Sequence, residues 1–288
     1  MGHALPATCL PSTSAGGNPL GHLISSSISD ARPGQGVSSA LDRALEALVV
    51  ITRIAVDESS DWTTQHGLIL SGSAVAVADD YFRTVLVDVA TYCPLSKQMV
   101  MDLETRMEFV VSGSISDALR SSLHLTSFAS AENVKTWTKR IAGYRITAAE
   151  SAGANLALFE RACHVRHCAI HAGGYVAAHN ARVLGVEVGS WISISSPASV
   201  HEVVAVVAAT LRAYNQGLFE HLLSRWITEN ILSGDWSADK VLFERIWQIF
   251  RSKSDLESAR LQGRANVRSR PYDAYLVIRR AIRSRNAS

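Results

Sequence analysis

From Ser38 onward the apolar residues of this chain recur every three or four positions, the period of a helix with one buried face. Leu41, Leu45, Leu48 and Val49 set the first such run, which the spacing carries to about Val56 before the polar stretch Asp57–Asp61. Residues 65–92 form the next. Val75, Ala78, Phe82, Val85, Leu86 and Val89 fall on one face, while Asp79, Asp80 and Arg83 take the other. Pro94 is expected to close this segment, since proline cannot continue the backbone ladder. Two shorter helices are expected over 96–111 and 114–124. Ser130 reads as an N-cap for a helix to about Ile141, ended by Gly143. A long helix follows from about Thr147 to His171, with Gly173-Gly174 positioned to kink or break it, and the chain to Leu184 reads as helical again.

The period changes once. Val186, Val188, Ile192 and Ile194 alternate with small or polar residues, which predicts a short strand or hairpin near residues 186–195. Ser196-Pro197 then opens a long helix, proline being suited to the first helical position, with Ser199-x-x-Glu202 an alternative capping box. That helix runs through Val203, Val207, Leu211, Tyr214 and Leu218 towards Trp226. Another spans about Ser237 to Phe250, and Tyr275, Ile278 and Ile282 mark one face of a final basic segment, Tyr272 to Arg285. The expected fold class is mostly α: a helical bundle with one small β excursion.

Residues 1–37 lack this periodicity and are rich in Ser, Gly and Pro. They are expected to form a disordered leader, because they bury too little apolar surface to offset ordering entropy. The expected organisation is a leader over 1–37, a helical domain over 38–250 and a basic C-terminal tail over 251–288. Net charge is only +2, but its distribution is uneven. Residues 251–288 hold ten Lys/Arg against three Asp/Glu, a local +7, which leaves −5 for the first 250 residues. A basic tail suits a phosphate-rich partner, and a solvated terminus accounts for it equally well. Cys9, Cys93, Cys163 and Cys168 form no Cys-x-x-Cys pair, and the first residues lack the charged start and apolar core of an export signal. Reduced thiols and a cytoplasmic location are therefore expected. No apolar run reaches the roughly 18–20 residues of a membrane span, so no membrane association is expected.

The chemistry concentrates in residues 161–185, which hold four of the ten histidines. At the centre is Arg166-His167-x-x-x-His171, followed at once by Ala172-Gly173-Gly174. A guanidinium can hold a phosphate, and an imidazole can move a proton near neutral pH. Arg166 and His171 are five residues apart, about 140° round a regular helix. They do not share a face, so a working site requires a local break or a second subunit. His167 and His171, four apart, can face one pocket.

Arg-[Asn/Asp/His]-x-x-x-His followed by a small-residue turn resembles the signature of the HEPN superfamily, all-helical domains found in many RNA-cutting toxins and defence proteins. Ala131-Glu132-Asn133-Val134 ahead of Trp137 and Lys139-Arg140 is similar to the segment preceding the motif in the RiboL-PSP and related branches. Leu184-Gly185-x-x-x-Gly189-x-x-Ile192-x-Ile194-Ser195 before a long helix is similar as well. The likeness covers roughly residues 65–230. It implies a homodimer in which two motifs meet, and a metal-independent endoribonuclease acting through the ribose 2′-hydroxyl, with no cofactor. It also implies a toxin or antiviral-defence setting, with an antitoxin or defence-system partner. In that picture His171 is the general base or acid, Arg166 holds the phosphate, and His167 orients its neighbour or contacts the phosphate. Asp79 or Asp80 can fill the place of an acidic residue that many relatives carry, although a solvated helix face is the commoner explanation. Arg279, Arg280 and Arg283 are the candidate RNA-binding cations.

Two other readings stay open. The resemblance equally covers non-catalytic HEPN modules that bind RNA or protein. The pairs His164/Cys168 and His167/His171 also have the i, i+4 spacing that clasps zinc, although position 168 is Cys where a metalloprotease needs Glu. Ser71-Gly72-Ser73 and Ser112-Gly113-Ser114 lack the spacing of a nucleophile elbow. No phosphate-cradling or dinucleotide-binding glycine loop is present. The Trp residues, among them Trp226, Trp236 and Trp247, are expected in the core or at an interface.

Overall fold

The computed structural model describes residues 38–101, 115–263 and 270–286; the leader expected over 1–37 lies outside them. Among the described residues there are eleven α-helices. They are α1 (Ala40–Asp57), α2 (Thr64–Tyr92), α3 (Pro94–Met101), α4 (Ile115–His124), α5 (Ala131–Ala142) and α6 (Ser151–Ala172). Then follow α7 (Ala178–Leu184), α8 (Pro197–Thr228), α9 (Trp236–Phe250), α10 (Lys253–Leu261) and α11 (Pro271–Asn286). The polar break after α1 is a 3-10 turn, Glu58–Asp61.

α2 is the axis of the bundle. It packs against α1, α6 and α8, and Val75, Ala78, Phe82, Val85, Leu86 and Val89 are all fully buried. Aromatic rings lock the three longest helices together. Phe82 lies 4.9 Å from Tyr214 of α8 and 5.6 Å from Phe159 of α6, both edge-on, the favoured geometry for such pairs. The hydroxyls of this centre are satisfied. Tyr81 donates to Asn215 Oδ1 at 2.9 Å, and Asn215 Nδ2 in turn donates to the Phe250 carbonyl at 2.7 Å.

The boundary signals act as the sequence implies. Ser130 accepts from the Asn133 N–H, and Gly143 ends α5 in the left-handed region at φ 70°. Ser196 caps α8 with Pro197 at its start. Pro94 differs in detail. α2 already stops at Cys93, and Pro94 is the first residue of α3. The helix expected over 96–111 is observed only as far as Met101, and 102–114 lie outside the described residues.

The strand or hairpin expected over 186–195 is reduced to one antiparallel bridge, Tyr175 with Trp191. Val176 N–H donates to Ser190 O, Gly189 N–H to Val176 O and Ile192 N–H to Gly174 O. The alternating stretch therefore pairs with the turn after α6, across α7, and not with itself. Val186 and Val188 remain exposed.

The basic segment after Arg251 is not a free tail. The described residues from Ser38 onward belong to one compact unit. α11 packs on α8 and α9, with Tyr275 and Ile282 fully buried and the Tyr275 hydroxyl donating to Asp239. α10 is held by its first turn. Asp42 of α1 accepts from the Lys253 and Ser254 N–H groups and the Ser252 hydroxyl. Burial pushes the Asp42 carboxyl up, but these donors outweigh it and hold it below its usual range.

Candidate functional site

α6 carries the motif because its first four turns are anchored. Leu156 and Phe159 are fully buried, Ala162 and Cys163 nearly so, and the helix packs on α2 and α8. It ends where Gly173 and Gly174 adopt φ 58° and 101°, values that side-chain-bearing residues resist. Gly174 N–H returns to Cys168 O at 2.9 Å. The two glycines therefore end the helix one residue after His171, which stands in its last turn.

The motif residues divide between two sides of this helix. Arg166 faces α2. A Cβ placed on Gly72 would lie 3.8 Å from Arg166 Cγ and 3.5 Å from Ile170 Cδ1, ordinary contact distances that place both stems against α2. Arg166 lines a cleft of about 310 Å³ together with Asp79, Arg83, His124 and Ser127. Most donors there are already engaged. Arg83 meets Asp79 at 2.6 Å and donates to the Leu123 and Thr126 carbonyls. The other Asp79 oxygen accepts the Phe128 N–H at 2.5 Å. Arg166 is the exception: its Nε is buried without a hydrogen-bond partner. Asp79 is thus half-buried and engaged, not on a solvated face, while Asp80 is exposed.

The histidines lie on the other side, towards α7. His167 and His171 are exposed, with ring centroids 4.9 Å apart. His179 of α7 comes within 6.4 Å of His167 and 4.8 Å of His164, so four imidazoles run from the surface inward. His164 is the buried end. Its Nδ1–H donates to Asn180 Oδ1 at 2.8 Å, and its Nε2 lies 3.4 Å from Glu160. Partial desolvation, then the neighbouring imidazoles and Arg166, push the His167 pKa below its ordinary 6.5. Because the ring is exposed, solvent screening keeps that effect small.

Among the described residues no three His, Cys, Asp or Glu side chains converge as metal ligands. Cys168 is fully buried, and burial raises its thiol pKa, which disfavours the thiolate a metal requires. Cys93 and Cys163 are likewise free and buried, and Cys9 lies outside the described residues. No described helix is long and apolar enough to cross a membrane.

Of the expected RNA-binding cations, Arg280 and Arg283 are exposed, while Arg279 is half-buried with an unpartnered Nε. They sit on α11, whose packing partners are α8 and α9 and not the motif helix. Sequence reasoning missed Arg83, His124 and Ser127 as neighbours of Arg166, and His179, Asn180 and Glu160 as neighbours of the histidines. Only the Asp79/Arg83 pairing has a local signal, its i, i+4 spacing. Trp226 is fully buried, and Trp236 and Trp247 pack partly buried against the core.

Comparisons of the chain with family models, with curated proteins and with solved structures gave no match in any of the three.

Proposed function

We propose that this protein is a metal-independent endoribonuclease of the HEPN kind, working as a homodimer in a toxin or antiviral-defence setting under the control of a partner protein. The observation that carries the reading is the exposed imidazole pair, His167 and His171, side by side at the end of α6. His171 takes the proton from a ribose 2′-hydroxyl. The 2′-oxygen attacks the adjacent phosphorus, and the 5′-oxygen leaves with a proton from an imidazolium. The products are a 2′,3′-cyclic phosphate and a 5′-hydroxyl. His167, held below its ordinary pKa of 6.5, stays neutral beside His171 and orients it. Arg166 neutralises the phosphate, because its guanidinium stays charged at any working pH. Within one chain Arg166 and His171 stand on different sides of α6, so the reading requires a second copy to bring an arginine of one protomer to a histidine of the other.

That same separation favours a second reading, a non-catalytic module that binds RNA or protein. The full-length protein incubated with RNA in EDTA decides between them. Cleavage to 2′,3′-cyclic ends by a species of dimer mass in light scattering supports the nuclease. Uncut RNA replaces it with the binding module, and cleavage only on adding zinc would transfer the histidines to a metal site.

A further inference from the structure

A second cavity, remote from the motif, lies between α1, α8, α9 and α10. Its volume is about 600 Å³, within the roughly 300–1,000 Å³ of small-molecule sites. Its walls are apolar and largely aromatic. Phe219, Trp247 and Phe250 contribute rings, with Phe219 5.9 Å from Trp247 and 5.3 Å from Phe250. Leu41 and Leu256 close two further sides.

The polar groups at this cavity fall into two sets. Asn215 is satisfied by Tyr81 and the Phe250 carbonyl. Arg212 forms a bidentate pair with Asp255, at 2.9 and 3.0 Å, so the one lining carboxylate is neutralised. Gln216 donates to Glu220 and Ser252 to Asp42. One group is left over. The half-buried Arg251 lines the cavity, and its guanidinium makes no hydrogen bond or ion pair among the described residues. It adds one uncompensated positive charge.

We infer that this cavity binds a small aromatic carboxylate, its ring among Phe219, Trp247 and Phe250 and its carboxylate accepting from Arg251. A neutral aromatic would leave Arg251 unpaired. A phosphate would leave the aromatic walls wet. The Arg251 cation selects an oxyanion and the walls select the flat apolar body attached to it. The inference stands apart from the ribonuclease reading, since no residue is shared with the motif and binding is read without RNA.

The test is isothermal titration calorimetry of the full-length protein with 2-naphthoate and, in parallel, with the uncharged 2-naphthylmethanol. The expected result is one 2-naphthoate site per chain, with the alcohol about tenfold weaker or more. Arg251→Gln removes the charge at a half-buried side chain that makes no internal bond, so the fold is retained. It should weaken 2-naphthoate about 10–100-fold, the worth of a charge-assisted hydrogen bond, and leave the alcohol unchanged. Absence of binding, equal affinity for acid and alcohol, or an Arg251→Gln variant that binds 2-naphthoate normally would each overturn the inference.

Discussion

The two sides of α6 offer the same kind of residue under opposite conditions. On the α2 side the cations are fixed. Arg83 is held by Asp79 and two carbonyls, and the stem of Arg166 packs near Gly72 of α2. On the α7 side the exposed rings of His167 and His171 touch mainly each other. A phosphate site gains from rigidity, because a pre-placed donor loses little freedom on binding. A proton-transfer group gains from exposure, because it must exchange protons with solvent between turnovers. On the enzyme reading, one helix supplies both by turning about 140° over five residues.

The largest test of this division falls on the histidine side. His171→Ala should lower RNA cleavage on the order of 10²–10⁴-fold, the usual worth of a general acid or base, with RNA binding kept. Arg166→Ala should reduce cleavage and loosen binding together. If His171→Ala cuts as fast as the unaltered protein, the division fails and the catalytic group is not His171. The next test falls on the fixed side. Asp79→Ala strands the Phe128 N–H and removes the partner of Arg83. It should cost about 1–3 kcal/mol in chemical denaturation. The exposed His167→Ala should cost far less, and equal costs would mean that the two sides do not differ in rigidity.

A smaller effect concerns cations away from α6. Replacing Arg279, Arg280 and Arg283 by Gln should weaken RNA binding and flatten its salt dependence. The log–log slope should drop by roughly 0.7 for each single-strand phosphate that the protein no longer neutralises. Cleavage at saturating RNA should hold, because phosphate-binding cations position the strand without reading its sequence. The smallest effect is in pH. Folded His167 binds its proton less readily than the unfolded chain does. Below its ordinary 6.5 the unfolded state therefore holds more protons, and stability falls as pH drops through the window just beneath that value. His221, depressed mainly by burial, acts in the same direction. Melting temperatures between pH 5 and 8 should fall less steeply on acidification in His167→Gln than in the parent; identical slopes would remove His167 from the account.

The helices are legible because their signals are local: an apolar repeat, a Ser130 or Ser196 cap, a Gly143 stop. The β excursion is not, because alternation over 186–195 does not reveal the partner, which is Tyr175 on the far side of α7. The angular split between Arg166 and His171 can be counted from spacing alone. The cleft around Arg166 cannot, since Asp79 and Arg83 lie more than eighty residues earlier and His124 on a different helix. The basic segment reads as a tail when charge is weighed over Tyr275, Ile278 and Ile282, whose burial against α8 and α9 decides its place.

The Asp42 cap has a consequence for how the chain is made. Its backbone partner Lys253 lies 211 residues further on. At a synthesis rate of roughly 5–20 residues per second, α1 emerges on the order of 10–40 s before α10 exists. α2 follows at once and can cover part of the Leu41, Leu45 and Leu48 stripe. The carboxylate, and the flank of α1 that meets α8, must wait in water for the distal half of the protein. The first of the described helices to leave the ribosome is thus among the last to be finished, and for that interval its apolar flank is a target for chaperones.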